Sequence, residues 1–477
     1  MTDRDPSVVD RELARLTPPA ASGWADAPQF ATIRRRRRQR QLAVTAVVAA
    51  VTVIAVVATL LTGGSHRRVP AGIAADLHES GRIGAAVQLV ARDVPVAGPD
   101  PSAAASVAST EQRLALDLLR HLPTTDSPNQ AVSATSLAMA LSMLNLGARG
   151  RTQQQIQALL GPAGATADQI AAGWAGLVAD WATAAAQAKI TIATANSLWL
   201  QNRAPMVDSF MKALARYFAA GVWQVDFNKD PAGAAAALNQ WVSEQTHGYI
   251  KDLLTADDVQ GLLLVLVNAL YFDAKWKFPF TEGSSPQPFT RADGSTVATP
   301  FMSMPMYVAT TSGPAYQAAQ LPYQGDRFAA LVIEPTAVSL RQFVTGLSPS
   351  TLNGIVGSLH SGVVQVELPQ FTVTTATDLK EPLSRLGLTD AFDPDRADFS
   401  GLTPRDAFVT FVKQKTFLNV NASGTQAAAA TAIGMGDAAA HEAPKALRFD
   451  HPFLFLIRDT VTGAILFTAT IQDPSAI

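Results

Sequence analysis

Hydrophobic and polar positions divide the chain into three regimes. Leu42–Leu61 is an uncharged run of twenty residues, LAVTAVVAAVTVIAVVATLL. A helix of that length rises about 30 Å, the hydrocarbon thickness of a bilayer, and a run without a polar face has no side to turn to water. Further on, the apolar positions adopt helical spacing. Leu114, Leu116, Leu118 and Leu119 share an amphipathic frame over Glu111–Leu122. Leu137–Leu146 predicts a second helix with Gly147 as its C-cap, and Thr152 stands as an N-cap ahead of Gln153–Leu160. From about Lys189 the pattern changes to short apolar runs, several bounded by Gly, Pro or Asp: Ile190–Ile192, Ser197–Leu200, Leu262–Phe272, Phe328–Ile333, Val363–Leu368, Phe408–Phe411 and Phe453–Ile457. Helices and strands interleave without a regular βαβ beat. That predicts an α+β domain with long, largely antiparallel sheets.

The first regime acquires an orientation from its flanks. Arg34–Arg40 carries six arginines in seven positions, against Arg67 and Arg68 on the far side. By the positive-inside bias, residues 1–41 are a cytoplasmic tail, Leu42–Leu61 a single-pass anchor in the lipid bilayer, and the remainder extracytoplasmic. A cleaved signal peptide is the alternative, but its apolar core is usually 7–15 residues long. Met1–Ile33, rich in Pro, Asp, Ala and Ser, reads as a disordered tail. Residues 62–106 hold the breakers Gly63-Gly64 and Gly98-Pro99-Asp100-Pro101. They read as a linker that lifts a domain of residues 107–477 off the membrane, with Ala85–Pro95 strand-like inside it.

Composition then removes whole classes of function. Lys plus Arg total 37 against 39 for Asp plus Glu, a net charge of −2, so nucleic acid is not an expected partner. There is no cysteine, which excludes disulfides, thiolate nucleophiles and Cys-ligated metals. Seven scattered histidines and no phosphate-binding glycine loop leave no cofactor or metal expected. HExxH and GxSxG are absent as well. His360-Ser361 and Asp450-His451 are the neighbours nearest to a catalytic pair, and His451 before Pro452 reads as structural. An enzyme is not expected. Heavy use of Ala and Arg fits a GC-rich bacterial genome.

Ordered motifs along the second and third regimes, from Asn129–Leu137 and Leu146–Thr152 through Val267–Trp276 to Asp450–Phe455, resemble those of the serpin family over nearly all of Ala108–Pro474. Asn129-Gln-Ala-Val-Ser133-Ala-Thr-Ser136-Leu137 is similar to the family's N-xxx-S-P-x-S-I segment, and Leu146-Gly147-Ala148-Arg149-Gly150-Arg-Thr152 to its LGAkGxT turn. Ala195-Asn196-Ser197-Leu198-Trp199, Val225-Asp226-Phe227, Asn239-Gln-Trp241-Val242 and Thr246-His-Gly248-Tyr-Ile250 follow. Val267-Asn268-Ala269-Leu270-Tyr271-Phe272 with Trp276 resembles the family's vNaiyFkgxW strand. Leu368-Pro369-Gln-Phe371, Leu386-Gly387-Leu388 with Phe392, Ala397–Gly401 and Asp450–Phe455 complete the order.

The resemblance implies the serpin fold of three β-sheets, eight or nine helices and an exposed reactive-centre loop. It also implies a monomer that traps a serine protease. The protease attacks a bait bond, an acyl-enzyme forms, and the cleaved loop inserts as a strand of the central sheet before the ester is hydrolysed. Gly424, Thr425, Gln426, Ala427, Ala428, Ala429, Ala430 and Thr431 suit such a strand, being free of Pro, charge and bulk. Period-two alternation sends Thr425, Ala427, Ala429 and Thr431 to one face. A large or charged side chain there would slow insertion. Gly424 reads as the hinge, free in φ and ψ. The sheet-opening residues that match the family are Ser133, Ser136, Asn268 and Trp276.

Three departures stand out: Ala422 and Gln426 where the family usually has Glu, and Gln414 where it often has His. Counting from Gly424 places the bait bond at Ala438-Ala439, and counting back from Pro452 places it near His441, so Met435 to His441 bracket it. Without Lys or Arg in that window, an elastase-like or subtilisin-like target is expected over a trypsin-like one. The alternative is a non-inhibitory serpin-fold protein whose loop is an ordinary protease substrate or a binding surface.

Overall fold

A computed structural model describes residues 77–98, 100–123, 127–425 and 445–476. Its first elements are a hairpin of β1 (Leu77–Ile83) and β2 (Ala86–Ala91), turned by Gly84 at φ +55°. Helix α1 (Pro101–His121) follows, then β3 (Gln130–Val132), α2 (Ala134–Gly147), α3 (Gly150–Leu160) and α4 (Ala167–Ala188). The middle of the chain runs β4 (Thr191–Gln201), α5 (Asp208–Phe218), β5 (Val222–Val225), α6 (Pro231–Gln245), α7 (Ala256–Val259) and β6 (Leu264–Lys275). Next come β7 (Thr281–Glu282), β8 (Gln287–Thr290), β9 (Thr296–Thr299), β10 (Phe301–Ser312), β11 (Tyr316–Pro322) and β12 (Phe328–Pro335). Helices α8 (Leu340–Gly346) and α9 (Pro349–Gly357) lead to β13 (His360–Pro369), β14 (Phe371–Asp378), α10 (Lys380–Arg385) and β15 (Lys413–Asn421). The last strands are β16 (Gly424–Thr425), β17 (Ala446–Arg448), β18 (Phe453–Asp459) and β19 (Ile465–Ile471).

The strands form an eight-stranded sheet in the order β1-β2-β5-β4-β6-β16-β15-β14, a nine-stranded sheet built on β17-β13-β10-β11-β12-β18-β19-β3, and the β8–β9 pair. Among the described residues these three sheets are joined by ten α-helices, against the eight or nine expected. Helix α2 shows why the two large sheets stay together. All fourteen of its residues are buried, and it packs on β19 of one sheet and on β4 and β6 of the other. A helix buried on every face, with polar Thr135 and Ser142 bonded to backbone carbonyls, takes its stability from such a sandwich. Ser133 caps it, accepting from the Ser136 N–H at 3.2 Å.

Several local expectations are corrected. The linker expected over residues 62–106 is not a bare spacer: β2 pairs antiparallel with β5 and so extends the eight-stranded sheet at its edge. Ile83 and Ala86 join Trp199, Trp223 and Trp241 in a second core beneath α6. Helix α1 begins ten residues before Glu111, with Asp100 capping Ser102 and Ala103. Gly147 lies inside α2 and serves close packing, since a Cβ there would sit 2.6 Å from that of Leu402. Thr152 is within α3, whose N-cap is Arg149, and its hydroxyl accepts from the Asp398 N–H at 3.0 Å. Phe408–Phe411 forms no strand; β15 starts at Lys413. The tail 1–41 and the run Leu42–Leu61 lie outside the described residues, among which no helix is long and apolar enough to cross a membrane.

Candidate functional site: a slot between two central strands

Strands β6 and β15 run parallel at the centre of the eight-stranded sheet, yet among the described residues they pair directly at one register, Asn268 with Gln414. At the other end they are separated by β16, which lies antiparallel to both. Thr425 is opposite Ala274 on β6 and Val420 on β15. The interval is six residues on each strand, about 20 Å at roughly 3.3 Å per residue.

The lower rung is a buried amide cluster. Gln414 Nε2 donates to Asn268 Oδ1 (2.8 Å) and to the Ser133 carbonyl (2.9 Å), while the Ser133 N–H donates to Gln414 Oε1 (2.8 Å). Asn268 Nδ2 donates to Asn196 Oδ1 (2.8 Å) and to the Ser136 carbonyl. The Ser133 hydroxyl donates to the Leu466 carbonyl (2.7 Å), which ties the cluster to the second large sheet. Ser133, Ser136, Asn268 and Gln414 are each at most 3% exposed, so every one of these bonds replaces a bond to water that is no longer possible.

The upper rung is aromatic. Trp276 is buried and donates from Nε1 to the Asn421 carbonyl (2.9 Å), and its N–H donates to the Ser423 carbonyl (3.1 Å). Its ring stacks on Tyr323 with centroids 4.5 Å apart and planes 8° from parallel. The turn from β15 into β16 is thereby pinned. Gly424 is required for contact, because a Cβ would lie 2.1 Å from the Ala274 carbonyl oxygen. Its φ is not in the left-handed region, so the conformational freedom expected of a hinge glycine is not used in this state. Ala422 is buried, so Glu at that position would put a carboxylate into an apolar place.

Between the rungs an aromatic stack lies across both strands. Tyr249, from the segment after α6, stacks on Tyr271 of β6 (5.3 Å, 22°) and on Phe417 of β15 (5.4 Å, 26°). The same segment reaches β15 twice more, through the Lys413–Asp258 ion pair and through Lys415 Nζ donating to the Lys251 carbonyl.

A strand-shaped slot, a chain already turned into its upper end, and the order of the elements agree with one family. The serpin (serine protease inhibitor) model matches residues 109–474. The chain belongs to the serpin family. Plasminogen activator inhibitor 1 of Neovison vison is 34% identical over 359 residues, covering 72% of this chain and 87% of that protein. Human glia-derived nexin is 33% identical over 362 residues, covering 72% and 88%. Among solved structures, native protease nexin-1 with heparin superposes with a TM-score of 0.66 at 29% identity, covering 79% of this chain and all of that one. The thermophilic serpin tengpin in its native state gives a TM-score of 0.69 at 23% identity, covering 80% and 96%, a likeness of fold.

The structure thus brings Ser133, Ser136, Asn268 and Gln414 together at one end of the slot and Trp276, Gly424 and Thr425 at the other. Gln426, Ala427, Ala428, Ala429, Ala430 and Thr431 lie outside the described residues, as do Ala438, Ala439 and the whole window from Met435 to His441. Sequence reasoning missed Tyr323, Asn196 and Tyr249 as members of the site. Asn196 and Tyr249 stand inside quoted motifs, but nothing in a linear string says that they border a gap. His451 is exposed and stands beside two carboxylates. Its Nδ1 is 2.7 Å from Asp450 Oδ1, and its N–H donates to buried Glu334 (3.1 Å), whose carboxyl is pushed up to about 8 chiefly by burial.

Proposed function

We propose that this serpin is a bacterial, membrane-anchored, extracytoplasmic inhibitor that traps a serine protease as a suicide substrate, its cleaved loop filling the slot between β6 and β15. The observation that carries this reading is the register at the slot's upper end. If the loop entered the slot in the register of Gly424 and Thr425, Gln426 to Ala430 would come opposite residues 273–269 of β6 and 419–415 of β15. Thr431 would then reach the Asn268–Gln414 rung from both sides at once. One spacing serves both neighbours, and the residues it seats are Gln, Ala and Thr, small or uncharged throughout. Relatives named as inhibitors, such as plasminogen activator inhibitor 1, add support. The bait bond is assigned to Ala438-Ala439 within Met435 to His441, and a shallow primary pocket, elastase-like or subtilisin-like, is the matching target. The anchor is Leu42–Leu61.

The test uses Val69–Ile477, the compact unit that keeps the β1–β2 hairpin, mixed with pancreatic elastase, subtilisin, chymotrypsin or trypsin. After boiling in SDS, a band at the summed mass establishes acyl trapping, and the mass of the released C-terminal peptide fixes the bond. Loop cleavage with no such band for any protease would leave the alternative, a serpin fold whose loop is an ordinary substrate.

A further inference from the structure

The side-chain partner of Thr425 was not among the residues singled out from the sequence. Thr425 Oγ1 lies 2.6 Å from Tyr323 Oη, and both residues are 0% exposed. Burial pushes the Tyr323 phenol well above its ordinary value, so the hydroxyl keeps its proton. Tyr323 itself cannot drift. One side of its ring is stacked by Trp276, Phe272 meets it edge-on at 5.1 Å, and its N–H donates to the Phe328 carbonyl at 3.0 Å. The aromatic scaffold therefore presents one hydroxyl at a fixed point, and the occupant of that point is the last residue of β16, from which the inserting strand would continue.

We propose that Tyr323 is a positioning residue for loop insertion: its hydroxyl holds Thr425 in the first rung of the future strand before any bond of the loop is cut. This rests on the inhibitory reading above and assigns a role that reading left empty. A strand that starts from a docked first residue adds one rung after another. An undocked strand must first close the loop against the sheet, with the entropy cost that loop closure carries. The docked start shortens the interval in which the acyl-enzyme can be hydrolysed.

The experiment compares full-length wild type in detergent with Tyr323→Phe, Thr425→Val, the double variant and Thr425→Ser. Two readouts are taken, hydrogen exchange of the peptide spanning residues 421–430 without protease, and moles of serpin consumed per mole of protease trapped. Tyr323→Phe and Thr425→Val are each expected to raise hinge exchange about fivefold, the factor for one neutral hydrogen bond. They are also expected to raise serpin consumption, with the double variant no worse than either single one and Thr425→Ser close to wild type. Thr425→Val alters a residue at the start of the loop, so it tests the same bond should Tyr323→Phe fail to fold. Unchanged hinge exchange in both single variants, or effects that multiply in the double variant, would overturn the proposal. If wild type traps no protease, the inhibitory reading fails, and the exchange data still decide whether Tyr323 holds the hinge.

Discussion

Gln414 and Asn268 face each other at the single direct rung between β6 and β15 among the described residues, and one 2.8 Å hydrogen bond joins their side-chain amides. The slot can lengthen only by opening this rung, so the bond is both a clasp on the native sheet and the place where Thr431 would arrive. Gln414→Ala would leave the Ser133 N–H, the Ser133 carbonyl and Asn268 Oδ1 without this partner in a buried site. The expected loss is about 2–4 kcal/mol, measured as a lower urea midpoint. A loss under about 0.5 kcal/mol would show that water had replaced the amide.

Tyr249 is the second clasp. It is 45% exposed, so its removal costs the fold little, yet its ring bridges Tyr271 and Phe417 on the two strands that would separate if the proposed insertion takes place. Tyr249→Ala is expected to lower stability by about 0.5–1.5 kcal/mol, the worth of an aromatic stack. Spontaneous conversion at 37 °C to a loop-inserted, inactive form is expected to run faster. Residual inhibition against time checks this, and an unchanged half-life would assign Tyr249 to packing alone.

Acidity provides an independent handle on the core. Glu111 is 1% exposed, and burial pushes its carboxyl up to about 8, against the opposing bonds from the Ile465 N–H and Thr135. The folded chain holds a proton that the unfolded chain releases near the ordinary value of 4.5. That contribution is fully present below the ordinary value and is lost as pH rises toward and through 8. Glu111→Gln, which mimics the protonated acid, should match wild type at pH 4 and exceed it in urea resistance at pH 9. Parallel pH curves for the two proteins would contradict this.

The hairpin should matter for stability although it precedes every matched motif. Ile83 is 8% exposed in the core beneath α6, and Ile83→Ala is expected to cost about 2–4 kcal/mol. A chain starting at residue 106 should unfold at lower urea than one starting at Val69. Equal midpoints would return residues 77–91 to the status of a spacer.

How far each part could be read depended on whether its cause is local. The pattern of β12 and β18 was legible, because strands buried on both faces carry continuous apolar runs, here Phe328–Ile333 and Phe453–Ile457, with the charged Glu334, Arg458 and Asp459 only at their ends. Phe408–Phe411 misled for the same reason: it is apolar and short, and only packing decides between strand and loop. The linker misled in the opposite direction. Leu77–Ile83 alternates weakly and shows few apolar residues, because β1 is an edge strand with half its surface in water.

For the site, residue types and order determined the family and the small uncharged segment from Gly424 to Thr431, and pointed to Ser133, Ser136, Asn268 and Gln414. These are residue types and their order, and they are written in the side chains themselves. Only the tertiary structure decided that β6 and β15 meet at one rung, that Gly424 is demanded by the Ala274 carbonyl, and that Tyr323, 102 positions before Thr425, holds its hydroxyl. Those are distances between segments far apart in the chain. They are set by how two sheets close around α2, and no local pattern of hydrophobic and polar residues encodes them.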